Sequence, residues 1–305
     1  MTLAPYRLRK QVRRPITLLA IPNVSEGRDP GRIASFAAAV EVAGARVLDV
    51  HSDRVHHRSV LTVEGSELQH AMAELAAAAA YIDLNEHDGL HPRLGGLDVC
   101  PIVPFGGSMR EAVETAHQTG EAIWQRTNLP VYFYGETALR PEAAELPDLR
   151  RGGIEGLTAR AESGFVPDIG GPAIDDARGV VCVGARDVLI AFNVWLDGDP
   201  GAVAAVAVAK AIRSAEGGPV GIRALGLASA SPGRSQVSMN LVEPRTTGIE
   251  AAFRLVEQEA GARGATPVAT EIVGLVPERF MPPPDAKATR LLIEPGRSLE
   301  SALLN

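Results

Sequence analysis

The fold turns on VVCVGARDVLIAFNVWL (residues 180–196), two short apolar runs parted by Ala185-Arg186-Asp187. Short apolar runs bounded by turn-forming residues read as buried strands. This stretch therefore reads as strand, turn, strand, and opens the second of two similar halves. A helix from Asp199 to Ala215 follows and stops at Gly217–Gly218. VGIRALGLAS (220–229) and SQVSMNLVEP (235–244) are strands around the turn SPGR (231–234). TTGIEAAFRLVEQEAGARG (246–264) is a helix capped by Thr246 or Thr247, and TPVATEIVGLVP (266–277) closes a sheet.

The same order occurs upstream. ITLLAIPN (16–23) is a strand, followed by a helix that Asp29 caps, with Pro30 at its first position and Gly44 at its end. RVLDVHS (46–52) and HRSVLTVEG (57–65) alternate as strands, and a helix capped by Ser66 runs on towards Leu84. LDVCPIVPF (97–105), a helix over about 108–127 and LPVYFYGE (129–136) complete the half. Both halves are thus βαββαβ units of the split βαβ kind. The predicted class is α/β (α+β): two mixed sheets, each with helices on its outer face, facing one another across a ligand groove. The boundaries read from the sequence are a basic extension at 1–16, subdomains at 17–179 and 180–280, and a loose tail at 281–305 containing Pro282-Pro283-Pro284. Residues 136–179, rich in Gly, Pro and charge, read as a connector and lid.

At 305 residues with a net charge of −7, the chain lacks the basic face that a nucleic-acid binder needs. Only 4% of residues are aromatic, which removes a stacking platform for single strands. No apolar run is long enough for a membrane span. The five basic residues before Pro15 precede no apolar core of the kind a secretory leader has. The two cysteines, Cys100 and Cys182, have no ligand or redox spacing and fit a reducing, cytoplasmic setting. The expected partners are small molecules.

Chemistry concentrates in EHDGLHPRLGGLDVC (86–100). His87 and His91 do not share a helix, because Gly89 and Pro92 break it, and no third ligand has metal-site spacing; no metal is expected. Pro92 pushes His91 towards an extended backbone, at the entry to the strand bearing Asp98. An imidazole there suits proton transfer between two amines; a structural ring bonded to a loop carbonyl is the other reading. Asn23 and Glu26 end the first strand. Asn193, Gln236, Ser238 and Asn240 give the later strands a polar face, which either meets solvent or reads a ligand's polar groups. Arg58 and Arg93 are candidates to grip a carboxylate, or are ordinary ion-pair partners. No G-x-G-x-x-G, G-x-x-x-x-G-K-[ST] or G-x-S-x-G is present, so nucleotide-phosphate and hydrolase readings lack support.

Taken with IPNVSEGR (21–28), HRSVLTVEG (57–65), LPVYFYGE (129–136), LPDLRRGGIEGL (146–157), GARDVLIAFNV (184–194), QVSMNL (236–241) and EIVGLVP (271–277), the histidine segment resembles the formiminotransferase family over roughly residues 17–280. The resemblance implies transfer of a formimino group between N-formimino-L-glutamate and tetrahydrofolate as co-substrate, within histidine degradation and one-carbon metabolism, by a cytoplasmic homodimer. It places the proton-carrying histidine at His91; Asp98, at the head of the next strand, is taken beside it as the residue that orients the ring. The folate-contacting segment falls on Gly170, Gly171, Pro172, Ala173, Ile174, Asp175, Asp176, Ala177, Arg178 and Gly179. Asn23, Glu26, Arg58, Arg93, Asn193, Gln236, Ser238 and Asn240 are carried as substrate contacts. The chain departs from the family at His57, where Asn is usual in H-N-R, and at Trp195, where Asn is usual in F-N-V-N-L. A different amine acceptor, or a folate-binding relative without turnover, stays open beside the main reading.

Overall fold

In the computed structural model, which describes residues 17–229 and 233–304, the strand–turn–strand at 180–196 is present but is shared between two sheets. Val181–Ala185 lies in the first sheet, beside Val131–Gly135 and Leu97–Pro104, and Ile190–Asp197 lies in the second. The first unit therefore runs past the boundary at 179 read from the sequence. The reason is topological. A parallel strand needs a long crossover, and residues 136–180 supply one.

In chain order the first unit is β1 (Leu18–Ala20), β2 (Asn23–Val24), α1 (Pro30–Val42), β3 (Arg46–Asp53), β4 (Arg58–Glu64), α2 (Leu68–Ala79), β5 (Leu97–Pro104), α3 (Met109–Thr127), β6 (Val131–Gly135), α4 (Leu146–Leu149), α5 (Gly153–Glu162) and β7 (Val181–Ala185). β1 and β2 are one strand interrupted at Pro22, which has no N–H for the ladder. The sheet runs β3, β4, β1 with β2, β5, β7, β6, with β7 parallel to both its neighbours. α1, α2 and α3 cover one face through Phe36, Met72, Leu75 and Ile123, packed on Leu61, Ile102, Val131 and Val183. Each such side chain, fully buried, contributes about 1.5–3 kcal/mol.

The second unit is β8 (Ile190–Asp197), α6 (Val203–Ile212), β9 (Ile222–Ala228), β10 (Arg234–Leu241), α7 (Ile249–Gly261) and β11 (Thr266–Val273), in sheet order β11-β8-β10-β9. Phe192, Val194, Val237 and Met239 face α6 and α7. Two short helices, α8 (Lys287–Arg290) and α9 (Leu299–Leu304), follow.

Local signals held where they were self-contained. Asp29 accepts from the N–H groups of Gly31 and Arg32, and Ser108 with Glu111 forms a capping box on α3. Three helix starts differ from their sequence reading. α2 begins at Leu68 with Glu67, not Ser66, at its cap and no side-chain bond there. α7 has Gly248 at its cap, while the Thr247 hydroxyl donates to the Val220 carbonyl, 2.7 Å away. Asp199 reaches across the turn Pro200–Ala202 to accept from the N–H groups of Ala204 and Ala205, both at 2.8 Å.

The connector and tail also differ from the reading. α4, α5 and the turn Pro141–Ala143 before them pack Leu149, Leu157 and Ala143 onto Tyr132, Tyr134 and Cys182, on the face of the first sheet opposite its helices. The stretch is thus a hydrophobic cap rather than irregular chain. The tail is anchored: Ala288 and Leu299 are buried, and Arg297 bonds Asp49 of β3 at 2.6 Å. The extension at 1–16 and the first half of the turn, residues 231–232, lie outside the described residues. Among the described residues, no helix is long and apolar enough to cross a membrane.

Candidate active site

Asp98, in β5, has no solvent exposure. A buried carboxylate persists only with charge and hydrogen-bond partners, and Asp98 has three. Oδ1 accepts from the Leu94 N–H at 2.8 Å; Oδ2 accepts from Arg58 Nη1 at 2.7 Å and from Arg150. Burial works against its charge, but Arg150, Arg58 and the Leu94 N–H outweigh it and hold the carboxyl down at about 2. This hub ties β4, β5 and the connector together below the histidine loop. Arg58 also donates from Nε to Asn23 Oδ1, at 3.0 Å. Arg58 is therefore committed to Asp98 and Asn23, and Asn23 to Arg58 and the Ile21 carbonyl, instead of standing free for a substrate.

The loop above is tied by its own polar groups. Arg93 donates to the carbonyls of His87, at 3.0 Å, and of Gly89, so it closes the loop instead of gripping a carboxylate. His87 Nε2 lies 3.1 Å from the Ser25 carbonyl and 3.2 Å from that of His57. Carbonyls only accept, so this nitrogen carries the proton, while Nδ1 accepts from the Gly89 N–H at 3.1 Å. Both nitrogens of His87 are used, and it is a brace. Its ring stacks on His57 at 4.3 Å. His57 has φ +49°, a left-handed conformation in which Asn and His are both enriched, and its Nδ1 accepts from the Gly27 N–H at 3.0 Å. Burial lowers both imidazoles from their ordinary range. Glu26, 3% exposed, is likewise occupied, accepting from the N–H groups of Arg28 and Asp29.

His91 is different. Its Nδ1 is 2.8 Å from the Pro92 carbonyl, so Nδ1 carries the hydrogen and Nε2 holds a lone pair. It is this bond, and not one to Asp98, that sets which ring nitrogen is protonated. The expectation that Asp98 orients His91 is corrected, because the oxygens of Asp98 are taken by Leu94, Arg58 and Arg150. Burial, with Arg58 and Arg150 adding to it, pushes the His91 pKa down to about 2, and the imidazole is neutral at physiological pH. The ring borders an open cavity of about 320 Å³, walled on one side by Leu84, Leu90 and Arg93 and on the other by Gly152–Glu155 at the start of α5. The connector thus supplies the far wall.

This neutrality has a consequence for stability. In the unfolded chain His91 titrates near its ordinary 6.5, whereas the folded chain refuses that proton down to about 2. The unfolded state binds more protons in between, so stability present above pH 6.5 is lost as pH falls below it, by at most ~1.4 kcal/mol per pH unit. His91→Asn is expected to flatten the decline of Tm between about pH 6.5 and 5. A thermal melt series that shows an unchanged slope would place His91 in water.

The remaining candidates divide. Asn193, 3% exposed, donates to Glu271 Oε2 at 2.9 Å, and Glu271 reaches His51 of β3 at 3.3 Å. This chain joins the two sheets. Gln236, Ser238 and Asn240 share that face, with Gln236 buried and Asn240 exposed, and none of the four borders the His91 cavity. In the 170–179 segment, Gly170 (φ +103°) sits against Trp124, and Gly179 (φ +69°) pairs with Gly95. Asp175 bonds the N–H of Ala177, Asp176 accepts from Thr158, and Arg178 donates to the Thr127 carbonyl. Ile174 packs into the connector's cluster, and Gly171, Pro172 and Ala173 are exposed. The Ala177 carbonyl accepts from Leu84 N–H at 2.8 Å, so the segment runs beside the histidine loop. Arg150 and His56 escaped the sequence reading. The only local signal for Arg150 was the Arg-Arg-Gly-Gly run at 150–153. Among the described residues, no three His, Cys, Asp or Glu side chains are grouped to hold a metal.

Residues 17–186 match the formiminotransferase domain, N-terminal subdomain, and residues 191–286 match the formiminotransferase domain. A glutamate formimidoyltransferase of Streptococcus pyogenes serotype M1 is 37% identical over 267 residues, covering 86% of this chain and 89% of that protein. A Thermoplasma acidophilum protein of the same name is 37% identical over 269 residues, covering 86% and 88%. The formimidoyltransferase-cyclodeaminase of Gallus gallus is 34% identical over 271 residues, covering 86% of this chain and 50% of its own. The chain belongs to the formiminotransferase family of one-carbon transferases.

Proposed function

We propose that the chain moves a formimino group between N-formimino-L-glutamate and tetrahydrofolate, with His91 as the proton carrier. The observation that supports this most is a neutral imidazole whose Nδ1 is engaged by Pro92, beside a cavity it helps to line. In the transfer, the attacking folate amine forms a bond to the formimino carbon and gives its proton to His91 Nε2. The bond from that carbon to the glutamate nitrogen then breaks, and Nε2–H returns the proton to the leaving amine. Holding both reactants at one carbon supplies much of the rate.

A pKa near 2 is far below the working range of a base; burial is the larger cause, and the Arg58 and Arg150 guanidiniums add to it. An anionic substrate beside His91 offsets that positive field and raises the pKa towards neutrality. N-formimino-L-glutamate, with two carboxylates, is suited to do so. A cavity of about 320 Å³ takes one end of a ligand as large as folate, and the exposed 171–173 strip beside the loop offers further surface.

A second reading keeps the chemistry and changes the amine. Trp195 favours it, lying opposite Gln236 on the inner face of β8 and β10. His57 does not bear on the choice, being a brace of the loop. Formimino transfer to tetrahydrofolate, measured over a panel of formimino-amines, tests both. The glutamate derivative is expected to give the highest kcat/KM. A strong preference for a monoanionic or uncharged amine would overturn the glutamate assignment.

A further inference from the structure

We propose that His56, held by Asp53, is a positioning residue that sets the orientation of the His91 ring; this rests on the reading of His91 as proton carrier. The turn that joins β3 to β4 is built around Asp53. Its Oδ1 accepts from the N–H groups of Val55, at 2.7 Å, and His56, at 2.8 Å, while Oδ2 lies 3.1 Å from His56 Nδ1. A carboxylate accepts, so Nδ1 is the donor and the His56 ring is fixed about both its side-chain torsions. The His56 side chain is only 14% exposed. What covers it includes His91, whose ring centroid is 6.0 Å away with the planes at 79°. This is an edge-to-face arrangement, within the range in which aromatic pairs attract.

The same turn also seats the backbone of the histidine loop. Leu90 N–H donates to the Val55 carbonyl at 3.3 Å, one residue before His91. Gly89 lies so close that a Cβ there would stand 2.4 Å from the His56 carbonyl and 2.7 Å from His57 Cβ. His91 is thus located along the chain by Val55 and in ring orientation by His56. Its own bond to Pro92 fixes which nitrogen is protonated, but a single bond to a neighbouring carbonyl leaves the ring free to tilt about it. The face of His56 removes that freedom. When Nε2 takes a proton, the ring stays aimed at the leaving amine.

The test compares His56→Ala, which removes the ring, with His56→Phe, which keeps an aromatic face and loses the bond to Asp53. In the formimino-transfer assay, His56→Ala is expected to lower kcat roughly ten- to hundredfold with KM for both substrates nearly unchanged, the signature of lost orientation and not lost binding. His56→Phe is expected to recover most of that loss. Asp53→Asn, which loosens the hold on His56 without removing the ring, is expected to give a smaller fall of the same kind. In a His91→Ala background, His56→Ala is expected to have no further effect. Wild-type kcat in His56→Ala, or an equal loss in the His91→Ala background, would overturn the proposal while leaving His91 in place. Full activity in His91→Ala alone would remove the reading on which it rests.

Discussion

Replacing His91 with alanine is expected to lower kcat for formimino transfer at least a hundredfold, with KM for either substrate changed far less. The scale is that of losing a positioned general acid–base, about 10²–10⁴. The KM expectation follows from the structure. His91 donates Nδ1–H to Pro92, keeps one lone pair on Nε2 and lines the cavity, so its removal deletes at most one polar contact and enlarges the space. The loop itself survives, because Arg93, His87 and Asp98 hold it without help from His91. The variant should therefore melt close to the parent temperature at neutral pH. A His91→Ala protein that keeps more than about a tenth of its turnover would show that the proton passes elsewhere.

Asp98→Ala is expected to have the largest effect on stability. Asp98 is fully buried and neutralises Arg58, whose side chain is 8% exposed, and Arg150, 16% exposed. Removing one partner of a buried ion pair costs about 3–5 kcal/mol, because the other charge is left uncompensated. Here two guanidiniums are left, together with the Leu94 N–H. Asp98→Asn keeps an acceptor for Leu94 and should cost less. Urea unfolding reads both. The same carboxyl shapes the acid limb. Its folded pKa of about 2 lies below the ordinary 3.8, so the stability it contributes is present above pH 3.8 and fades as pH falls towards 2. A loss in Asp98→Ala of less than about 1 kcal/mol would mean that the arginines find water or other anions.

Much of the architecture was legible because it is written locally. Asp29 before Pro30, and Ser108 before Glu111, are complete caps within four residues. The alternation in β10, which sets Gln236, Ser238 and Asn240 on one face, leaves Val237, Met239 and Leu241 on the other, and these three pack in the core beneath the helices. Thr247 failed as a cap because its hydroxyl bonds the distant Val220 carbonyl, which nothing within a few residues announces, and Ser66 failed because the helix begins one residue later, with Glu67 at its cap. β7 was assigned to the wrong sheet for a related reason. Its apolar pattern is that of any buried strand, and only the crossover through α4 and α5 decides which sheet it joins.

The candidate site divides along the same line. The resemblance carried by EHDGLHPRLGGLDVC pointed to His91 as the proton carrier, whereas nothing in that stretch announced that Asp98 would be taken up by Leu94, Arg58 and Arg150. Arg150 stands 52 residues from Asp98, and no spacing rule connects them. Arg58 and Arg93 read from the sequence as carboxylate ligands or, more often for a lone arginine, ion-pair partners, and their hydrogen bonds to Asp98 and to the His87 carbonyl favour the structural role. Two histidines four residues apart, alike in sequence, differ in how many nitrogens remain free. That difference lies in the carbonyls of Ser25, His57 and Pro92.

The most direct measurement is a long-range ¹H–¹⁵N spectrum of the histidine-labelled protein, recorded across pH with and without N-formimino-L-glutamate. In the free protein His91 is expected as a single neutral Nδ1–H tautomer with no titration near 6.5, and the bound substrate is expected to raise its pKa towards neutrality. An Nε2–H tautomer, or a His91 that titrates normally and ignores the substrate, would contradict its assignment as the proton carrier.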